Sequence, residues 1–121
     1  MFIPNTYEFY WNTDAKSFFD RMKKEHKQFW SKARDEKANT LGLNHEEIST
    51  LASIVEEESN KCDERPRIAG VYINRLKRNM PLQAYPTIKF ALGDFGIKRI
   101  LTKDLVIKSP YNTYKNYGLP P

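Results

Sequence analysis

Residues 51–59 read Leu-Ala-Ser-Ile-Val-Glu-Glu-Glu-Ser, and with Ile48 their apolar side chains recur at the spacing of one helix face. At about 100° per residue, Glu57 falls opposite this apolar stripe and Glu56 falls well to one side of it. Glu58 falls beside the stripe, closest to the expected core. Because a carboxylate that faces a core is costly to ionise, we expect a raised pKa at Glu58, which would keep the proton that a general acid needs.

The same glutamates also have a purely structural interpretation. The last turn of a helix frays, so Glu58 can reach water or pair with Arg65 or Arg67. Structural ion pairs perturb carboxylates as catalytic sites do. No second carboxylate has an obvious matching position, so a glycosidase with two catalytic carboxylates is not supported. From the residues alone, the catalytic and the structural interpretations both stay open.

On the N-terminal side of this stretch, the sequence predicts an extended segment and the start of two helices. Residues 1–12 are rich in β-branched and aromatic types and are predicted to be extended. From Asp14, a candidate N-cap, apolar residues recur at helical spacing to about Lys37. The helix with the glutamates is predicted to begin at Asn44, which would form a capping box with Glu47.

On the C-terminal side, Asp63 and Pro66 open a third helix, because proline is favoured in the first turn. This helix is apolar on most sides, and we expect it to be the central core element. Its apolar residues are Ile68, Ala69, Val71, Tyr72, Ile73 and Leu76. The residues Asn-Met-Pro at 79–81 end it.

The remaining residues are predicted to form short elements. Residues 82–87 are predicted to be extended and 88–92 to form a short helix that ends at a turn. A further short helix is predicted over 103–107 with Thr102 as its cap. The tail from Ser109 is predicted to be a loop packed by its aromatic side chains. These elements together predict an α+β fold that is predominantly helical, with short extended segments.

Composition excludes several classes of protein. The chain has 121 residues, which fits one domain, and 40% of them are hydrophobic, which argues against wholesale disorder. The lone Cys62 excludes an intramolecular disulfide, and an ordinary thiol is favoured over a nucleophile. Without a pair of histidines at ligand spacing, no metal site is expected. No apolar run approaches the ~18–20 residues that cross a bilayer.

The net charge of +5 raises the question of an anionic partner. In the first helix the lysines and arginines are interleaved with acidic residues, which is typical of a solvated helix face. No zinc finger, glycine-rich phosphate loop or aromatic RNA-binding motif accompanies the charge. Nucleic acid is therefore a weak expectation, and it would require a strongly salt-dependent affinity.

Several short blocks of the sequence, taken in their order along the chain, carry a resemblance to a known family. They are residues 51–58, 64–66, 71–76, 80–83, 86–87, 111–114 and 118–121, together with Pro-Asn-Thr-Tyr at 4–7. In this order the blocks resemble the endolytic murein transglycosylases, the MltG or YceG-like family. The family usually has an acid where this chain has Tyr85, so a sugar contact from that acid is not expected.

The resemblance implies a lysozyme-like catalytic helix and assigns the catalytic role to Glu58. This residue would protonate the glycosidic oxygen between N-acetylmuramic acid and N-acetylglucosamine within a glycan strand. It would then take the proton of the muramic C6 hydroxyl, which attacks C1 and closes a 1,6-anhydro ring. Neither a cofactor nor a second carboxylate is needed for this reaction, because the nucleophile belongs to the substrate.

The resemblance also implies a set of residues around the catalytic acid. Substrate-binding roles fall on Ser59, Gln83, Thr87, Asn112 and Tyr114, and supporting roles on Glu56, Asn74 and Arg75. We expect Glu56 to pair with Arg75. The alternative for each is bracing: Asn112 and Tyr114 would pin a loop, and Asn74 and Arg75 would brace the central helix.

Members of the family carry further segments, so residues 1–121 are expected to be a single truncated catalytic domain. An N-terminal membrane helix, a LysM-like region and a C-terminal portion would lie elsewhere in the parent protein. The expected place is the outer, periplasmic side of the bacterial inner membrane, with this fragment itself soluble. The expected partners are peptidoglycan glycan strands and peptidoglycan synthases. The alternative function is a glycan-binding or scaffold module without catalysis.

Overall fold

The computed structural model describes residues 2–121, which form a helical structure. The α-helices are α1 (Ala15–Phe29), α2 (Lys32–Leu41), α3 (His45–Glu58), α4 (Arg65–Lys77) and α5 (Tyr85–Leu92), and a 3-10 helix covers Asp104–Val106. No β-strand occurs in residues 2–121, so the helical part of the predicted fold class is confirmed, whereas its β part is not. Over the same residues, every helix is too short or too polar to cross a membrane.

The chain divides into two compact units, of which the first ends at Glu46 and the second is Glu47–Pro121. In the first unit, α1 begins as predicted. The Asp14 carboxylate accepts a hydrogen bond of 2.6 Å from the backbone N–H of Ser17, which satisfies a donor that the helix leaves free. This bond also lowers the pKa of Asp14.

The single helix predicted to about Lys37 is wrong, because two helices meet at Trp30 and Ser31. The backbone of Trp30 leaves the helix at ψ 75°, and Ser31 is extended at the N-cap of α2. The Trp30 ring stacks on His45 with 3.8 Å between the ring centroids. Helix α2 ends at its C-cap Gly42, which adopts the left-handed conformation at φ 71°.

The core of the second unit lies around the start of α5, and α4 is not its centre. Of the apolar residues of α4 only Tyr72 is buried, and Val71 is 52% exposed, so the predicted central role of α4 is wrong. The buried side chains of this unit come mostly from α3, from the residues around the start of α5 and from the tail, with one from α4. They are Leu51, Ile54, Val55, Tyr72, Leu82, Ala84, Thr87, Ile88, Asn112 and Thr113.

The helix starts test the capping predictions. As predicted, α3 begins directly after Asn44, and α4 begins with Pro66 in its first turn. The segment predicted to be extended through residue 87 is instead helical from Tyr85, because Pro86 occupies the first turn of α5. The cap predicted at Thr102 is wrong: Lys103 is the N-cap of the 3-10 helix, and it makes no side-chain cap bond. The Asp104 carboxylate instead accepts from the N–H of Leu101, before the helix, at 2.8 Å. The tail from residue 109 contains no helix or strand, as predicted.

Candidate active site

An open cleft of about 450 Å³ lies in the second unit, at the C-terminal end of α3 and the N-terminal half of α5. Its lining comes from three separate segments. They contribute Glu57 and Glu58 of α3, Tyr85, Pro86 and Lys89 of α5, and Lys98, Arg99 and Ile100 of the loop that follows α5. Charged groups therefore dominate this cleft, with Tyr85 as its aromatic residue.

Glu58 is the last residue of α3, and its side chain is exposed. The expectation that it faces the core is wrong. Helical angles describe where a side chain leaves the backbone, and at the final residue no further turn covers it. The burial that the sequence pattern suggested is therefore absent, and Glu58 stands at the wall of an open cleft.

The backbone just after Glu58 is fixed by Ser59. Its hydroxyl donates to the Glu64 carboxylate at 2.7 Å and accepts from the N–H of Lys61 at 3.1 Å. Ser59 is half-buried and belongs to the connection between α3 and α4. Its contacts within the protein are those of a brace, so any substrate contact would have to compete with Glu64.

The ion pair expected between Glu56 and Arg75 is wrong. Glu56 faces Arg65 at 3.8 Å, and Arg65 also donates to the carbonyl of Ser59. The guanidinium of Arg75 instead donates to the carbonyl of Leu82, so it ties α4 to the segment that leads into α5. Each residue thus has a partner other than the expected one, and the supporting roles of Glu56 and Arg75 stay predictions.

The charge of Glu58 affects the pKa of two tyrosines, Tyr72 and Tyr114. Burial raises the pKa of Tyr72 above its usual range, and the charge of Glu58 and a hydrogen bond with it raise it further. The pKa of Tyr114 rises to about 12 through burial, then through Tyr85, with which it interacts, and then through Glu58. Arg75 opposes both shifts. Both phenols therefore keep their protons near neutral pH, and Tyr72 offers an O–H donor to the Glu58 carboxylate.

Two of the predicted substrate-binding residues are buried among protein groups. Asn112 is fully buried; its amide donates to the carbonyls of Leu105 and Ile107, and its oxygen accepts from the N–H of Tyr114. Thr87 donates to the carbonyl of Ala84 and lies 2.8 Å from the hydroxyl of Thr113. Both hold the segments that present the cleft, and neither side chain reaches its lining.

The remaining predicted residues are exposed. Gln83 has a φ of 55°, in the left-handed region that non-glycine residues rarely adopt, and its N–H donates to the carbonyl of Thr113 at 3.0 Å. Its side chain is exposed two residues before Tyr85, whose ring lies 5.9 Å from that of Tyr114. Asn74 is exposed on α4.

This arrangement supports proton transfer at an exposed carboxylate with phenol donors beside it. In residues 2–121 there is no group of three or more His, Cys, Asp or Glu side chains that could hold a metal ion. The family-level comparison agrees with the sequence blocks, because the profile of the YceG-like family matches residues 1–121. The chain belongs to the YceG-like family.

The relatives that the chain matches are named endolytic murein transglycosylases. The chain is 53% identical over 74 residues to the endolytic murein transglycosylase of Bacillus subtilis, which covers 61% of this chain and 20% of that protein. It is 40% identical over 127 aligned positions to the endolytic murein transglycosylase of Streptococcus pneumoniae, which covers 98% of this chain and 22% of that protein. The chain thus spans about one fifth of the length of these relatives.

A solved structure has the same fold. The crystal structure of a yceG-like protein from Listeria monocytogenes matches 98% of this chain and 39% of its own chain, with a TM-score of 0.79 and 38% identity. The resemblance drawn from the sequence blocks is therefore confirmed at the level of the family.

Sequence reasoning missed five residues around Glu58 in this YceG-like chain. They are Tyr72, Tyr85, Lys89, Lys98 and Arg99. Tyr72 lies in a block that resembles the family, but its helical spacing made it a core residue. The three cations lie outside the family blocks, and only the fold brings them to Glu58. The one sequence signal that points to these cations is a surplus of lysine and arginine after residue 88, and no recognisable motif accompanies it.

Proposed function

We propose that this YceG-like chain is the catalytic part of an endolytic peptidoglycan lytic transglycosylase, a carbon–oxygen lyase. It would cleave the β-1,4 bond between N-acetylmuramic acid and N-acetylglucosamine within nascent glycan strands and leave 1,6-anhydro ends. The observation that carries the proposal is the exposed Glu58 carboxylate at the wall of an open cleft, with the Tyr72 and Tyr114 phenols near it. The names of the relatives support the same reaction.

One carboxylate is sufficient for the proposed chemistry. Protonated Glu58 gives its proton to the glycosidic oxygen, and the bond from that oxygen to C1 of the muramic residue breaks. The carboxylate then takes the proton of the C6 hydroxyl of the same sugar while O6 forms a bond to C1. Glu58 ends protonated again and no water is consumed, so one sugar unit serves as both electrophile and nucleophile.

The surrounding residues divide into two groups in this proposal. Gln83 and Tyr114, which are exposed and half-buried, contact sugars, and Tyr72 orients the carboxylate of Glu58. Thr87 and Asn112 act one step away, because their buried hydrogen bonds hold the backbone that carries Tyr85 and Tyr114. We assign Ser59, Glu56, Asn74 and Arg75 to the support of α3 and α4.

The proposal extends to the cellular setting. Nascent strands are made at the outer face of the bacterial cytoplasmic membrane, so the catalytic part would work on the periplasmic side, next to peptidoglycan synthases. A membrane helix elsewhere in the parent protein would hold it there.

The first test compares two single substitutions in the same cleft, Glu58→Gln and Glu57→Gln, in the complete natural protein. Each removes one carboxylate and keeps the side-chain volume. Un-crosslinked glycan strands are incubated with each protein and the products are measured by mass spectrometry. We expect internal fragments with anhydro ends from the natural protein and from Glu57→Gln. With Glu58→Gln the rate should fall by a factor of about 10² to 10⁴, as for the loss of a general acid.

Other products would contradict parts of the proposal. Fragments heavier by one water would mean that water is the nucleophile, and Glu57, in the same cleft, would then be examined as its base. Loss of cleavage in Glu57→Gln alone would move the acid to that residue. Intact strands with the natural protein, while it stays folded and binds glycan, would leave the glycan-binding module as the function.

A further inference from the structure

The cleft that contains Glu58 is also lined by three cationic residues that take no part in the proposed reaction. Lys89 of α5 and Lys98 and Arg99 of the following loop line the same cleft as Glu57 and Glu58. Acid–base chemistry at the glycosidic bond needs the glutamate and not the cations. Three cations that line one cleft therefore indicate that it binds an anionic group.

The three cations are available for a ligand. Across residues 2–121, the lysines and arginines that form ion pairs are Lys16, Arg21, Lys61 and Arg65, and none of these lines the cleft. Lys98 and Arg99 are exposed and Lys89 is half-buried. The three cations outnumber the two carboxylates of the cleft, Glu57 and Glu58. An excess of cations in a concave site raises the local concentration of anions, and a guanidinium binds a carboxylate through two parallel hydrogen bonds.

The chemistry of the substrate places an anion at the same site. The bond that Glu58 would break starts at C1 of a muramic residue, and the lactyl substituent leaves C3 of that same ring. This substituent carries carboxylates, either on its stem peptide or, once the stem is removed, on the lactyl group itself. A sugar with C1 at Glu58 therefore brings its charged substituent into the cleft that Lys89, Lys98 and Arg99 also line.

We propose that Lys89, Lys98 and Arg99 form an anion subsite for the carboxylates on the muramic acid substituent of the strand. This inference rests on the proposed function and adds a preference: strands with charged substituents bind better than neutral strands of the same length. The glycan backbone has no charge, so the subsite reads the substituent and leaves the sugar to the other residues of the cleft.

The test uses three strand preparations with one backbone. The first carries intact stem peptides, and the second is treated with an amidase that leaves only lactyl carboxylates. The third is the amidase-treated strand with its lactyl carboxyl groups converted to amides, so it is neutral. Binding is measured in the Glu58→Gln background of the complete natural protein, at low and at high salt, so that cleavage does not consume the ligand.

Two triple variants test whether the preference depends on where the three positive charges lie or only on the total charge of the protein. One combines Lys89→Gln, Lys98→Gln and Arg99→Gln. The control combines Lys24→Gln, Lys77→Gln and Arg78→Gln, which removes the same charge from exposed positions outside the cleft. All six residues are on helix surfaces or in a loop, so both variants should fold, and circular dichroism checks this.

We expect the background protein to bind charged strands about tenfold more tightly than neutral ones at low salt, and to lose most of this preference at high salt. The cleft variant should bind all strands within about twofold of each other, whereas the control keeps the preference. A preference shown with the amidase-treated strand assigns the lactyl carboxylate as ligand, and one shown with the stem-bearing strand alone assigns the stem.

Two results would overturn the inference: equal binding of charged and neutral strands by the background protein, or an unchanged preference in the cleft variant. Failure of the proposed function has a different signature. If the protein with Glu58 intact cuts none of the three strands but prefers the charged ones, the subsite stands and the transglycosylase does not.

Discussion

Gln83 holds an L-residue in a backbone conformation that costs free energy. Its φ of 55° lies in the left-handed region, where a non-glycine residue is strained by about 1 kcal/mol, and its amide side chain is exposed. A glycine would adopt this conformation without strain. The side chain rather than the backbone is therefore the reason to have glutamine here, as a sugar contact would require.

Two substitutions separate these contributions. We expect Gln83→Gly to raise the free energy of unfolding by about 0.5–1 kcal/mol, because the strain is relieved, and to weaken strand binding. Gln83→Ala keeps the strain and removes the amide, so it should weaken binding without gaining stability. Urea unfolding and strand-binding curves measure both effects. Full binding in both variants would show that Gln83 does not contact the substrate.

Glu58 can be selected from the sequence as the candidate acid, but the residues that surround it in the cleft cannot. The helical pattern and the family blocks both selected Glu58, and it does line the cleft. Its exposure was mispredicted because a helical angle cannot describe the terminal residue of a helix. Lys89, Lys98 and Arg99 were missed because no local pattern shows that residues from two further segments meet Glu58.

Among the elements, the tail segment 111–114 and the 3-10 helix depend on one buried amide. Asn112 donates to two carbonyls and accepts from one N–H, and its side chain has no exposure. We expect Asn112→Ala to lower the free energy of unfolding by about 2–4 kcal/mol, because buried backbone groups lose their partners. Urea unfolding monitored by circular dichroism measures this.

Asn116 provides the matched control for that substitution. It also donates from its amide, to the carbonyls of Ser109 and Asn112, but it is exposed and water can replace it. Asn116→Ala should therefore cost about 0.5–1 kcal/mol. Equal costs for the two variants would mean that burial of Asn112 does not matter and that its predicted sugar contact must be reconsidered.

Helix boundaries show where sequence patterns stop being informative. The break between α1 and α2 leaves the apolar spacing of Phe29 and Ala33 intact, so periodicity carried the predicted helix across it. For residues 82–87 the error is the opposite one: a proline such as Pro86 is typical of extended chain, but it is equally suited to the first turn of a helix, which is its place in α5. Asp14 and Pro66 were predicted correctly because each makes a local interaction.

For the whole molecule, the two tyrosines near Glu58 predict a loss of stability in alkali. In the unfolded chain tyrosine titrates near pH 10, whereas the pKa of Tyr114 is about 12 and that of Tyr72 is raised as well. Above pH 10 the unfolded state therefore binds fewer protons than the folded state. The free energy of unfolding should fall as pH rises, by at most about 1.4 kcal/mol per pH unit for each group.

Urea unfolding at several pH values between neutrality and strong alkali tests this slope. Tyr72→Phe removes one of the two groups, so its slope above pH 10 should be shallower than that of the natural sequence. Tyr117→Phe is the control, because Tyr117 is 67% exposed. The same slope in all three proteins would mean that Tyr72 titrates alike in the folded and unfolded chain.

The loop that carries Lys98 and Arg99 is separate from the buried parts of the molecule. Gly93 ends α5 in the left-handed conformation, and none of the residues 94–103 is buried. Replacing or lengthening such a segment opens no cavity and breaks no core contact. The acid lies on a helix packed by Leu51, Ile54 and Val55, which tolerates much less. The loop wall of the cleft can therefore be altered at little cost in folding stability, and with it the groups offered to a ligand, whereas the wall with the acid cannot.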